Sequence, residues 1–440
     1  MPRRQGTQNE ILATFQRDQD VIFEEVDFGY IYINTVSQIR VSKTVSFSKC
    51  TFKKLELFNF YFTQRFYIFD CKFEEHLILG NCIFGSKCVL IGVDSKDLRI
   101  VHNTFNKNFD IDKFKCSGTF NVQFSSVKEN VSIEQFSGEK NPKDISIMFA
   151  EDSPAGSVNF RGFKANQITL SFPPSNMNHN VNISDFETDD LTIIMLSNTS
   201  DGKIYIHRIQ ATNITLFDLI NNGFLHIKKL STVKGVSNGK FLMHDCSFGK
   251  SEAYDVDFNS YDVIEIANSH LQTIIPSNIT WNFRPTAYAT IKPSYLRELF
   301  RQFKVICSSN MDKISTLKFE QLEMRYYGTQ LHWRKNMGDW FILWSNKWSN
   351  NHGQSYGRAF LGLFITTIVF YNGMILTNHS FNTCYLFSSG VTFMNPLHSL
   401  KDIVCDKINN TGVYVWDVAQ RLVSGYFIFQ FLRAFRKFVN

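Results

Sequence analysis

Along residues 21–280, apolar and polar positions alternate over short runs that soon stop. Leu77-Ile78-Leu79, Val89-Leu90-Ile91, Leu98-Arg99-Ile100, Val131-Ser132-Ile133, Ile204-Tyr205-Ile206 and Val263-Ile264-Glu265-Ile266 are examples, bounded by Asn, Asp, Gly or Ser. Period two with tight polar borders predicts strands, and no stretch here sustains a period of 3.6. Tetrads ending in Phe recur among these runs: Lys49-Cys50-Thr51-Phe52, Asn59-Phe60-Tyr61-Phe62, Asp70-Cys71-Lys72-Phe73, Asn81-Cys82-Ile83-Phe84 and His102-Asn103-Thr104-Phe105. Their closing Phe residues are 10, 11, 11 and 21 apart, and Phe114, Phe124, Phe136, Phe149, Phe160 and Phe172 continue the rhythm with drift. Short strands at a fixed spacing, separated by polar corners, predict a parallel β-solenoid in which each coil stacks on the last. At about 21 residues per coil, residues 21–275 make roughly 12 coils.

The pattern changes after residue 280. Pro285 and Pro293 punctuate the transition, and Ser294 suits an N-cap. Leu296, Leu299, Phe300, Phe303 and Ile306 then share one helical face, and Ile314, Leu317, Phe319, Leu322, Met324, Tyr327 and Leu331 form a second run. Residues 294–335 therefore predict an antiparallel pair of amphipathic helices, suited to capping a repeat array. Trp340-Phe341-Ile342-Leu343-Trp344 and Trp348, near Lys347 and Arg358, suit a belt at lipid headgroup level. Ala359 to Leu376 runs 18 residues without a charge, interrupted only by Gly, two Thr, Tyr371 and Asn372. That length predicts a membrane span, with a buried core helix as the alternative. Val413 to Leu432 is apolar and aromatic but holds Asp417, Gln420, Arg421 and Gln430. Asp417 and Arg421, four apart, share a helix face and can pair. Such groups in lipid must face protein or water, while an interfacial helix lying flat would leave them in water.

Charge sharpens this division. Residues 1–280 hold 28 Lys+Arg against 32 Asp+Glu, and residues 281–440 hold 18 against 8, so the basic excess belongs to the last third. Basic residues beside apolar segments point to anionic headgroups, and a nucleic-acid patch would leave the apolar runs unexplained. Arg433, Arg436 and Lys437 end the second apolar segment; Lys347 and Arg358 flank the first. Lys401 and Lys407 balance Asp402 and Asp406 between them. The positive-inside rule then places both ends in the cytoplasm and makes the two segments, about 358–376 and 413–432, a hairpin. Met1 to Glu10 is polar, with no apolar core of a secretory signal. The nine Cys show no CxxC pair, as expected of reduced thiols in the cytosol. Cys50, Cys71 and Cys82 occupy one tetrad slot and read as small apolar residues in or beside an inward column.

On its Phe rhythm and Asn/Cys-x-x-Phe tetrads, residues 20–275 resemble the degenerate pentapeptide-repeat type of right-handed β-helix, with a general right-handed β-helix as the equal alternative. The strings Phe300-Arg301-Gln302-Phe303-Lys304, Phe319-Glu320-Gln321-Leu322-Glu323-Met324 and Ser349-Asn350-Asn351-His352-Gly353-Gln354-Ser355-Tyr356-Gly357-Arg358 look like the juxtamembrane region of bacterial pentapeptide-repeat-like membrane proteins. The resemblance covers about residues 295–440 and implies a C-terminal two-helix module similar to the transmembrane part of simple ion channels. Ser388-Ser389-Gly390-Val391-Thr392-Phe393 stands between the two helices in place of the Thr-Val-Gly-Tyr-Gly run of potassium filters, so potassium selectivity is not implied. The expected fold is mainly β: a right-handed parallel β-helix followed by a helical region with one or two transmembrane helices. An N-terminal cap spans 1–20, the solenoid 21–280, a helical cap and juxtamembrane region 281–350, and the membrane hairpin 351–440.

Two functions follow, nearly equal in weight. One is an oligomeric pore or channel-like protein of the inner, cytoplasmic membrane, with the solenoid as a cytosolic sensing or assembly domain. A two-helix chain cannot enclose a pore alone, so a homo-oligomer is required. Asp417, Gln420, Arg421, Ser424 and Gln430 are the pore-lining candidates, and Asn351, His352, Gly353, Ser355 and Arg358 form the juxtamembrane motif. The other is a membrane-tethered scaffold whose solenoid binds a protein partner. The lipid bilayer is a partner in both, and nucleic acid in neither. An enzyme is not expected. Asp185, Glu187, Asp189 and Asp190 read as solvated corner residues, His352 and Ser355 lack a placed acid, and there is no P-loop or Rossmann glycine pattern. No cofactor or metal is expected either, because no His or Cys ligands converge at short spacing.

Overall fold

The computed structural model describes residues 3–17, 19–136, 142–150, 156–173, 180–233, 238–271, 273–283, 293–377, 386–400, 403 and 411–435. Pro285, the charges Lys401, Asp402, Asp406 and Lys407, and the terminal Arg436 and Lys437 lie outside the described residues. The chain divides into two compact units, Met1–Thr290 and Ile291–Asn440.

The first unit is a parallel β-solenoid of about 11 turns. One column of backbone pairs runs unbroken through Val21, Val45, Phe66, Cys88, Phe109, Val131, Val158, Val181, Ile204, Leu225, Ser251 and Ile274. The step along it is 21 residues from Val45 to Phe66 but 27 from Val131 to Val158, so the chain makes fewer turns than a strict 21-residue period would give. Helix α1 (Gln8–Phe15) opens on a Thr7 cap that accepts from Glu10 N, and its Phe15 packs edge-on to Phe60 and Phe62.

The tetrads explain themselves in this geometry. Their first residues, Lys49, Asn59, Asp70, Asn81 and His102, all take left-handed backbone with φ between 49° and 64°. That conformation turns the chain at each corner, and Asn and Asp adopt it at the least cost. The closing Phe residues then divide between two columns. Phe28, Phe52 and Phe73 stack at 4.8 and 4.9 Å, and Phe62, Phe84 and Phe105 at 5.3 and 4.8 Å. The 10–11-residue spacing is the alternation between these columns, and the doubled spacing is one full turn. Each Phe is buried, which favours folding by about 1.5–3 kcal/mol per ring. Cys50 and Cys71 stack in one column, with Cys50 N donating to Cys71 Sγ at 3.4 Å. Cys82 lies in the other column, its N–H donating to Asn103 Oδ1 at 2.7 Å. The seven described cysteines are buried and unpaired.

In the second unit, α2 (Pro293–Ser309) and α3 (Lys313–Gln330) form the expected helix pair; α2 is amphipathic, whereas α3 is only weakly so and leaves Ile314 exposed. Phe300 stacks on Phe319 and Tyr326, Phe303 packs on Phe319, and Lys304 pairs with Glu323 at 2.6 Å, which makes the two antiparallel. Helix α2 begins at Pro293, one residue before the expected cap at Ser294. Proline suits the first helical position because its missing N–H would have had no partner there. Three further segments are helical: α4 (Met337–Asn350), α5 (Tyr356–Thr377) and α6 (Leu386–Met394). A final helix, α7 (Thr411–Phe435), packs along α5. The segment compared with a channel filter is thus helical. Helix α5 is the one described helix long and apolar enough to cross a membrane.

Candidate functional site: the buried polar face of the last helix

Helices α5 and α7 expose many apolar side chains while burying several polar ones, beside an apolar cluster of Tyr371, Met374, Phe393 and Val413. On α7 the buried positions include Asp417, Gln420, Ser424 and Gln430, whereas Tyr414, Val415, Val418, Leu422, Phe429 and Leu432 are exposed. Leu422 is 71 % exposed while Gln420, two residues earlier, is 0 % exposed. On α5 the exposed set is Phe360, Leu361, Phe364, Ile365, Ile368, Val369 and Leu376, and on α4 it includes Trp340, Phe341, Ile342, Trp344 and Trp348. A water-soluble bundle has the opposite arrangement, because exposed apolar area is what folding in water removes.

Each inward polar group meets a partner from its own chain. Asp417 Oδ1 lies 2.7 Å from His398 Nε2, and Arg421 Nε donates to Asp417 Oδ2 at 2.9 Å. Arg421 Nη2 also donates to the His398 carbonyl at 2.8 Å, closing a ring of three residues. Gln420 Nε2 donates to the Phe393 carbonyl and to Ser424 Oγ, the latter at 2.8 Å. Its Oε1 is buried with no partner among the described residues. Near the other end of α7, Gln430 Oε1 accepts from Asn350 Nδ2, and Gln430 Nε2 donates to Asn346 Oδ1 at 2.9 Å. Ser349 and Tyr426 hydroxyls meet at 3.0 Å, and Arg433 reaches Glu320 of α3 at 3.2 Å. Of the pore-lining candidates, Asp417, Gln420, Arg421 and Ser424 share one face of α7, where Asp417, Gln420 and Arg421 meet Phe393 of α6 and His398 just after it, while Gln430 is turned separately toward α4. The sequence did not reveal these partners, since His398, Phe393 and Asn350 are separated from α7 by tens of residues and carry no spacing signal.

Helix α5 approaches α7 through small residues. A Cβ added at Gly362 would sit 2.1 Å from the Phe427 ring, and one at Gly373 would sit 2.9 Å from the Trp416 indole. The polar side chains of α5 are satisfied along the helix itself: Thr366, Thr367 and Thr377 donate to the carbonyls four residues back, and so does Asn372. Small contact residues and internally bonded hydroxyls are what a helix in lipid requires.

The juxtamembrane motif forms the turn from α4 into α5. Asn351, His352 and Gly353 have φ of 52°, 56° and 88°. Asn350 Oδ1 accepts from Gly353 N at 2.8 Å, and Ser355 Oγ caps α5 by accepting from Arg358 N. His352 is buried; that burial, and then the charges of Arg433 and Lys347, hold its imidazole below its ordinary pKa. In the solenoid, Asp185 sits at a corner and pairs with Arg161 and Arg208, and Glu187 pairs with Lys164 at 2.9 Å. No group of three or more metal-ligating side chains occurs among the described residues.

Compared with known proteins, the chain matches no family model, no curated protein and no solved structure. What fold and site define is a parallel β-solenoid followed by a helical unit with one candidate membrane-spanning helix.

Proposed function

We propose that this protein is a membrane-anchored solenoid: its helical unit sits in the inner, cytoplasmic membrane and its solenoid works in the cytoplasm as a scaffold for a protein partner. The observation that carries this reading is the outward apolar and inward polar surface of helices α5 and α7. Its outward residues on α5 and α7 are Leu, Ile, Val and Phe, while Asp417, Gln420, Ser424 and Gln430 face inward onto partners of the same chain. Lipid is the solvent in which that arrangement is stable. Tryptophans on α4 suit the headgroup level, and buried, unpaired thiols suit a reducing compartment. The reading assigns no catalytic role. The test is extraction of the expressed full chain with carbonate and then detergent, beside a chain stopped at Asn350. A full chain that resists carbonate and yields to detergent, with the shorter chain released, supports the anchor. A full chain soluble without detergent overturns it.

A second reading is the oligomeric, channel-like protein. It is favoured by one observation, the continuous inward stripe of Asp417, Gln420 and Ser424 with an unpartnered Gln420 oxygen. Several copies would have to exchange the internal partners of this stripe for a shared aqueous path. Ion flux through vesicles containing the full chain, abolished by Gln420→Leu, supports the pore; absence of flux leaves the scaffold.

A further inference from the structure

Helices α4, α5 and α7 enclose a groove of about 740 Å³. Its wall is apolar, formed chiefly by Trp348, Leu361, Ile365 and Phe427, and Lys347 and Arg358 also line it. Both cations are exposed, no carboxylate lines the groove, and neither makes an ion pair with a described residue. On α5, Phe364 and Ile368, three residues beyond the groove's Leu361 and Ile365, are also exposed. A site with two free cations and an apolar channel continuous with a lipid-facing helix is complementary to one class of molecule. That molecule has an anionic phosphate head and an acyl tail.

We propose that this groove binds an anionic phospholipid of the membrane, its phosphate between Lys347 and Arg358 and an acyl chain along Leu361, Ile365 and Phe427. The inference rests on the reading of α5 as a membrane helix. It adds a stoichiometric lipid to an anchor that would otherwise need only bulk bilayer. Diffuse attraction of a basic surface would depend on total charge; a built site depends on these two cations.

The experiment uses the full chain in phosphatidylcholine vesicles with a trace of phosphatidylglycerol carrying a photoactivatable group in its acyl chain. Crosslinks are expected on peptides covering residues 344–365. Unlabelled phosphatidylglycerol should compete and phosphatidylcholine should not. Lys347→Gln with Arg358→Gln should weaken labelling about 30-fold, the effect of two interfacial cations. Neutralising Arg334 and Lys335, exposed residues outside the groove, should leave it unchanged. The proposal is overturned by equal loss in both double variants, by no loss in the first, or by full competition from water-soluble glycerophosphoglycerol. If the chain does not enter vesicles at all, the membrane reading falls and this inference with it. If it inserts but labels without preference, only the lipid site falls.

Discussion

Met195 has φ of 55°, a corner conformation that Asn tolerates and an unbranched apolar side chain does not favour. Met195→Asn should raise stability by about 0.5–1 kcal/mol, read as an increased denaturant midpoint with unchanged circular dichroism. The corner rule was partly legible beforehand, because Asn59, Asp70 and Asn81 stand where the tetrads begin. Lys49 and His102 were not, since their residue types give no hint of left-handed backbone. A second residue-scale consequence concerns His207, whose pKa is lowered to about 4 by burial first and then by the charges of His226, Arg208 and Lys228; Asp185 acts the other way. His226 is also its ring neighbour, with Nδ1 3.3 Å from His207 Nε2. Between an unfolded value of about 6.5 and a folded value of about 4, the unfolded chain binds a proton that the folded chain refuses. Stability should therefore fall as pH drops through that window and level off below it. His207→Gln should flatten that slope in denaturation midpoints measured from pH 7 to pH 4.

At the level of elements, the strands and the apolar helix were legible because each obeys a local period. The alternation of Phe between two columns follows from the expected 21-residue coil; the widening of one step to 27 residues was hidden, because it falls where the Phe rhythm drifts. Helix α7 was legible as a helix with a charged pair, but its role was not. A polar stripe on an apolar helix reads the same whether it faces water, other copies or its own chain. Within the single chain, packing turns these polar groups onto Asn346, Asn350, Phe393 and His398. The α5–α7 contact depends on the absence of a side chain at Gly362. Gly362→Leu should lower the thermal midpoint of the detergent-solubilised chain, by a cost of about 1–3 kcal/mol for overpacking. Gly425→Leu, on α7 where an added Cβ meets nothing within 4 Å, should be tolerated and serves as the control.

For the whole molecule, the solenoid and helices α5 and α7 follow opposite rules. The solenoid places Phe, Leu, Ile and Val inside, as a structure folded in water must. The helical unit places much of its apolar surface outside. Composition averaged over 440 residues conceals this, and only the shift of charge and apolar length near residue 280 announced it. The ring of His398, Asp417 and Arg421 carries a consequence for biosynthesis. Helix α5 is long and apolar enough to cross a bilayer, whereas α7 brings an aspartate and an arginine whose entry is opposed by roughly 2.5–3.5 kcal/mol each near a bilayer centre. In the proposed anchor, α5 would be threaded first and α7 admitted once the turn holding His398 is in place to neutralise its load. The insertion machinery would then meet a helix already paired, and the buried ring of the proposed anchor would also set the order of its making.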